Sequence, residues 1–369
     1  MDINISTKNN HLGILICGHG SRNRIAIDEF KELAKCIQKR FSNITVEYGF
    51  LEFAKPSLVD GLQKLKLMSI KKVIAIPAML FAAGHVKNDI PSVLMTFAEN
   101  NDMEIVYGRE LGINNLMISA ACERVKEVFR NNTNLVPSDS VLVVAGRGSS
   151  DPDANSNVAK ITRMIVEGLG LGWGETVFSG VTFPLVEPGL NHIVKLGYKN
   201  IIVFPYFLFT GVLVSRIRRQ KDIVAANHPL VSFFDAKYLS SHPRVVDTFV
   251  ERIEEAFNNE NKNNSMNCSL CKYRSNLYGF EKDVGLIQES HHNHVEGIGL
   301  SCELCEAECS GACEEEILSS SVDKVHLSKS MHIHHSDIVA PHQHNHEIYP
   351  NSQHPLGPLT LQTTKKIKS

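Results

Sequence analysis

Three residues able to do metal or proton chemistry occupy comparable places early in the chain. His19 lies in Gly18-His19-Gly20-Ser21, Glu52 in Tyr48-Gly49-Phe50-Leu51-Glu52-Phe53-Ala54-Lys55-Pro56, and His85 follows the stretch from Pro77 to Gly84. Two imidazoles and a carboxylate suit a borderline divalent ion such as Co2+, Fe2+ or Ni2+. A neutral imidazole also accepts a proton near neutral pH. Taken singly, each has an ordinary explanation: Gly-His-Gly commonly fills a turn, a lone glutamate is usually solvated, and a histidine can begin a helix. Their placement sets them apart, because each follows an apolar run of strand length. The carboxyl ends of parallel strands share one rim, where open α/β sheets bind ligands. Ser21, Arg22 and Arg24 stand at the start of the following helix, a natural place for an anionic group.

The elements that must position these residues occur twice. Ile14-Leu15-Ile16-Cys17-Gly18-His19-Gly20-Ser21 is answered by Val141-Leu142-Val143-Val144-Ala145-Gly146-Arg147-Gly148-Ser149. Val73-Ile74-Ala75-Ile76-Pro77, leading to Phe81-Ala82-Ala83-Gly84-His85-Val86, is answered by Ile201-Ile202-Val203-Phe204-Pro205, leading to Phe209-Thr210-Gly211-Val212-Leu213. The glycines and prolines persist, while His19 becomes Arg147 and His85 becomes Val212. The second copy also lacks an acid at the Glu52 place, where Thr182-Phe183-Pro184 stands. A repeat that keeps its scaffold and loses its imidazoles separates fold from function.

Strands are expected at 12–17, 44–50, 72–76, 103–107, 141–145, 176–182, 201–205 and 231–235. Helices are expected near 24–40, 56–67, 87–99, 113–129, 153–168, 188–196, 212–226 and 242–257. The strand runs are continuous Val, Ile and Leu rather than alternating, as when helices cover both faces. This alternation predicts two similar α/β lobes, each a parallel sheet flanked by helices. An Asn-rich link at 131–138 and a second at 258–265 divide the chain into 1–133, 134–258 and 259–369. The last part is rich in His, Cys, Glu and Ser and is expected to be largely disordered.

The 369 residues carry a net charge of −2, so no general basic field draws the molecule to nucleic acid or membrane. The longest apolar runs fall short of the about 20 residues a membrane span needs. The N-terminal residues lack a signal-peptide apolar block, and a cytoplasmic protein is expected. Of nine cysteines, Cys17, Cys36 and Cys122 sit in apolar or amphipathic stretches and are read as packing residues. The other six, Cys268, Cys271, Cys302, Cys305, Cys309 and Cys313, crowd into the tail. In a cytoplasmic chain such crowding suggests metal before disulfides. Four thiolates suit Zn2+ or an iron–sulfur cluster. The runs His291-His292-Asn293-His294, His332, His334-His335 and His342-Gln343-His344-Asn345-His346 suggest weak, exchangeable metal binding, as in a delivery arm.

The Gly18–Ser21, Phe50–Pro56 and Pro77–Val86 segments together resemble the CbiX-type sirohydrochlorin chelatases, class II tetrapyrrole chelatases that need no ATP. The resemblance covers about residues 12–256, and the duplication resembles the long, two-lobed form. It implies two lobes facing each other across a cleft that admits the macrocycle. It further implies Co2+ insertion into sirohydrochlorin on the cobalamin route, with His19 and His85 as metal ligands, His19 also as proton acceptor, and Glu52 completing the set. Residues 80–85 (Leu80, Phe81, Ala82, Ala83, Gly84 and His85) resemble a substrate-binding segment, beside Ser21. Arg147 departs from the histidine pattern. A guanidinium stays protonated and makes a poor ligand, so its expected role is to hold substrate carboxylates, together with rim basic residues such as Arg22, Arg24, Lys87 and Arg216. The Met266-Asn267-Cys268-Ser269-Leu270-Cys271 segment resembles one found around an iron–sulfur cluster in long family members, which implies a [4Fe-4S] group.

Three other readings compete: Fe2+ insertion for siroheme, a non-enzymatic metal-storage or metallochaperone protein, and a plain anion-binding scaffold using Gly18–Ser21 and Gly146–Ser149. Since the duplication can replace a homodimer of shorter chains, a monomer is expected.

Overall fold

A computed structural model describes residues 11–258. The clustered cysteines, the histidine runs and the implied iron–sulfur group lie outside the described residues. Within them, strands and helices alternate. The first lobe contains β1 (Leu12–Gly18), α1 (Arg24–Gln38), β2 (Thr45–Phe50), α2 (Leu58–Leu67), β3 (Lys72–Pro77), a π-turn (His85–Asp89), α3 (Ile90–Asn101), β4 (Glu104–Tyr107) and α4 (Asn115–Asn131). The second contains β5 (Ser140–Gly146), α5 (Pro152–Leu169), β6 (Trp173–Phe178), α6 (Val186–Val194), β7 (Asn200–Pro205), α7 (Val212–Asn227), β8 (Ser232–Asp235) and α8 (Pro243–Phe257). Two four-stranded parallel sheets result, ordered β2-β1-β3-β4 and β6-β5-β7-β8.

The continuous apolar runs follow from burial on both sheet faces. Successive strand side chains point to opposite faces. In β1, Ile14 and Ile16 enter one core while Leu15 and Cys17 enter another. In β5, Leu142 and Val144 enter the first of those cores while Val143 and Ala145 enter a third. The first core therefore runs through both lobes. Residues of α1, α4, α5 and α8 lie in it, between the two sheets, and α2 with α3, and α6 with α7, cover the outer faces.

Two helices cross over. α4 packs against α5 and β7, and α8 packs against β3, β4 and α1. Arg252 of α8 is buried and donates to the carbonyls of Glu110 and Leu111, while Arg109 pairs with Glu255 at 2.9 Å.

Helix starts are set locally. Asn23 caps α1 by accepting from the Ile25 and Ala26 amides. Ser57 and Asp60 form a reciprocal capping box at α2, and Asp151 caps α5 with Pro152 as its first residue. Two sequence expectations shift. The strand expected at 176–182 is Trp173–Phe178. It is an edge strand whose one neighbour among the described strands is β5, so its first half can stay exposed or half-exposed, and the ladder with Val141–Gly146 fixes its bounds. The helix expected at 87–99 begins at His85 as a π-turn before becoming α-helical at Ile90.

Candidate metal centre

The carboxyl ends of β1, β2 and β3 deliver His19, Glu52 and His85 to one place. One ligand atom from each lies within 4.8 Å of the others. His19 Nε2 is 3.1 Å from Glu52 Oε1, His85 Nε2 is 4.0 Å from the same oxygen, and the imidazole rings meet edge-on with centroids 4.7 Å apart. Both rings remain about a fifth exposed, with side chains at 23% and 21%, whereas Glu52 is 2% exposed. Two reachable imidazoles over a buried carboxylate form an open site rather than a closed cage.

Backbone geometry brings the His19 and Glu52 segments together. The amides of Leu51 and Glu52 donate to the carbonyls of Gly18 and His19, at 2.8 and 2.9 Å. Gly20 adopts φ +102°, and a Cβ there would stand 1.6 Å from the Glu52 carbonyl oxygen. Only glycine fits that approach. Phe53 stacks on the His19 ring with centroids 6.0 Å apart, and the Arg22 guanidinium lies over the Phe53 ring at 5.1 Å.

His85 opens the π-turn. The Ile90 amide reaches back to the His85 carbonyl, five residues away. The next bond of that pattern would come from residue 91, but Pro91 has no N–H. The Tyr107 hydroxyl, at the end of β4, takes its place and donates to the Val86 carbonyl at 3.1 Å. Burial raises the Tyr107 phenol well above its ordinary range, so it stays a donor. π-turns of this kind recur at functional sites. The turn also places Asp89 one helical step from His85, with Oδ2 2.6 Å from His85 Nδ1.

The electrostatics centre on Glu52. Burial pushes its carboxyl up to about 7, with Asp89 adding to the rise, while His85, Arg147 and Arg22 oppose it. Arg147 therefore bears on the site although it follows β5 of the other lobe. Arg147 is exposed at the surface, and desolvation lowers its pKa while Glu52 raises it.

The remaining sequence candidates divide. Ser21 is half-buried at the rim, and its Oγ accepts from the Asn23 amide. In the 80–85 segment, Ala82 is buried and Leu80 and Phe81 pack against the shared core, with Phe81 stacked on Tyr206 of the second lobe at 5.9 Å. Ala83 and Gly84 lie nearer solvent. Arg24 and Arg216 are exposed.

Lys87 corrects the sequence reading. It is not a rim charge, being 6% exposed and hydrogen-bonded to Asp151 and Asp153. Burial alone would lower its pKa, but the two carboxylates outweigh that and raise it. The counterpart of Glu52 also needs correcting. Gly180, not Thr182-Phe183-Pro184, occupies that place, because its carbonyl approaches Gly148 as the Glu52 carbonyl approaches Gly20. Sequence reasoning missed Asp89, Tyr107, Asp151 and Asp153. Of these, only Asp89 carried a local signal, standing four residues after a candidate ligand.

The CbiX family model matches residues 13–128 and again residues 141–256. A sirohydrochlorin cobaltochelatase of Priestia megaterium is 36% identical over 263 residues, spanning 71% of this chain and 84% of that protein. A sirohydrochlorin ferrochelatase of Bacillus subtilis (strain 168) is 29% identical over 244 residues, spanning 66% of this chain and 90% of its own. The solved structure of SirB from Bacillus subtilis with Fe3+ superposes with a TM-score of 0.61 at 27% identity, covering 68% of this chain and 98% of that one.

Proposed function

The chain belongs to the CbiX family, and on that premise we propose that it is a sirohydrochlorin chelatase that inserts Co2+ into sirohydrochlorin without ATP, on the route to cobalamin. The observation carrying this reading is the convergence of His19, Glu52 and His85 within 4.8 Å.

Insertion demands that an ion shed water while the ring nitrogens lose protons. Three loosely spaced ligands can hold the ion without trapping it, and imidazole can accept a leaving proton. Glu52, with a pKa near 7, can exist in either protonation state under neutral conditions, so it can bind the metal as a carboxylate or keep a proton once the metal has left. On this reading Arg147 faces the site from the second lobe and holds carboxylates of the macrocycle, while Ser21 and residues 80–84 border the substrate. Both lobes come from one chain, so no second copy is needed to complete the site.

Cobalt is preferred to iron because the cobaltochelatase relative is more similar over a longer span than the ferrochelatase relative. The test is a chelatase assay following the absorbance change of sirohydrochlorin with Co2+ and Fe2+, on wild type, His19→Ala and His85→Ala. Cobalt turnover exceeding iron turnover in wild type, and lost in both variants, is expected. Stoichiometric metal binding without turnover would instead identify a storage protein.

A further inference from the structure

A second charged cluster joins the two lobes beside the candidate ligands. Lys87 stands two residues after His85 on the π-turn, and its side chain is 2% exposed. Its Nζ donates to Asp151 Oδ2 at 2.7 Å and to Asp153 Oδ2 at 3.2 Å, and those side chains are 5% and 4% exposed. Asp151 ends the loop that begins at Arg147. Its Oδ1 accepts from the Asp153 amide, and its own amide donates to Ser149 Oγ. Asn155 bonds both the amide and the carbonyl of Ser149. One ammonium therefore ties the turn bearing His85 to a loop bearing Arg147 that is itself held at several points.

Stability alone does not explain such a cluster. Removing three charges from water opposes most of what their attraction returns, and apolar residues of similar volume commonly hold as well. The lobes already share an apolar core and exchange helices. What directed hydrogen bonds add is one geometry, since they weaken steeply when stretched or bent.

The repeat provides an internal control. The helix cap equivalent to Asp151 is Asn23, and Ile25 stands where Asp153 does. Counting from Gly84 and Gly211, the residue equivalent to Lys87 is the buried Val214. Among the described residues the Lys–Asp tie thus has no copy at the equivalent positions of the repeat; there the lobes are joined differently, by Glu29 accepting from the Thr210 amide and the Tyr238 hydroxyl.

We propose that Lys87, with Asp151 and Asp153, is a positioning residue for metal insertion: it fixes the His85 turn against the Arg147 loop, so that the ion and the macrocycle meet in register. This rests on the chelatase reading above.

The test is the triple variant K87M/D151N/D153N, which is neutral throughout and keeps a capping side chain at 151. Three quantities are read: the thermal midpoint, the Co2+ affinity of the metal-free protein by visible-absorption titration, and kcat and KM for sirohydrochlorin. The expected result is a thermal midpoint near wild type, with Co2+ affinity and kcat each reduced about tenfold, as for lost supporting contacts in other metal sites, and a smaller change in KM. Wild-type affinity and kcat in a folded triple variant would overturn the proposal, whatever the midpoint. If the triple variant does not fold, D153N, which removes only the longer bond, reads the same quantities. A several-fold loss is expected there, and unchanged values overturn the idea. A wild-type protein that inserts neither metal would sink the chelatase reading, while the Co2+ titration would still decide the role of Lys87.

Discussion

Asp89 Oδ2 lies 2.6 Å from His85 Nδ1, and the His85 Nε2 faces Glu52. A carboxylate at Nδ1 holds the proton there and leaves the Nε2 lone pair for a metal. It also locks the ring. Asp89→Ala is therefore expected to weaken Co2+ binding by about 10- to 100-fold, with Asp89→Asn less damaging because the amide oxygen still accepts from Nδ1. Absorption titration of the metal-free proteins measures this. Equal affinities in Asp89→Ala and wild type would show that His85 is oriented by packing alone.

Glu52 sets a pH dependence with a definite sign. Its pKa is raised by burial to about 7, so the native state binds its proton more tightly than the unfolded chain does. The contribution of Glu52 to the stability of the metal-free protein therefore declines as pH rises from the ordinary carboxylate range to about 7, by on the order of 3 kcal/mol in all, and is flat above that. Glu52→Gln removes this penalty. The variant should unfold at higher urea than wild type at pH 8 and lose that advantage at pH 4. Co2+ affinity runs the other way: in wild type it should strengthen as pH rises through about 7, because the metal needs the carboxylate. A stability difference independent of pH would rule out the buried acid as its source.

The parts of the fold legible in the sequence were those governed by local pattern. β1 and β5 read as buried strands because each is an unbroken apolar run that ends at a glycine, Ile14–Cys17 before Gly18 and Val141–Ala145 before Gly146, and the duplication put His19 and Arg147 at equivalent strand ends. Glu52 and His85 were legible for the same reason, since parallel strands place their ends together whatever the helices do. The supporting residues were not legible, because their roles come from long-range packing. Lys87 looked like any helix-start cation, and nothing local says that Asp151 and Asp153 of the other lobe reach it. The exchange of α4 and α8 has no sequence signature either, as amphipathic helices do not specify which sheet they cover. The π-turn was hidden because 87–99 reads as one helix, and the consequence of Pro91 within it depends on Tyr107 reaching the Val86 carbonyl.

Arg147 pulls the Glu52 pKa down across the gap between lobes. Arg147→Ala removes that pull, so the pH at which Co2+ binding reaches half its high-pH strength should move upward. At high pH, where Glu52 is ionised in both proteins, metal affinity should converge. If Arg147 also holds macrocycle carboxylates, KM for sirohydrochlorin rises several-fold with kcat less affected, and Arg147→Lys recovers the pH midpoint better than KM because it cannot form the bidentate contact. Unchanged KM in Arg147→Ala would remove it from the substrate site and leave the electrostatic role alone.

The repeated turn after β2 and β6 allows a paired test of backbone strain. Phe53 and Val181 occupy equivalent places and both have positive φ, at +62° and +67°. A β-branched residue in the left-handed region costs about 1–2 kcal/mol. Val181 is 40% exposed, so replacing it forfeits little apolar burial. Val181→Gly relieves the strain but increases the freedom of the unfolded chain, which offsets about 0.5–1 kcal/mol of the gain. Val181→Asn tolerates the same φ without that offset and should stabilise the protein by about 1 kcal/mol. Gly20→Ala is the opposite case: its φ of +102° and the 1.6 Å approach of the Glu52 carbonyl leave no room for a methyl group. The backbone there must move, at a cost of at least about 3 kcal/mol, and the movement separates His19 from Glu52. Urea unfolding of the three variants, with a Co2+ titration of Gly20→Ala, should therefore give one stabilised protein in Val181→Asn, a near-neutral one in Val181→Gly, and one in Gly20→Ala that is weakened in both folding and metal binding. Wild-type Co2+ affinity in Gly20→Ala would mean that the His19 and Glu52 side chains keep their places when the backbone beneath them shifts.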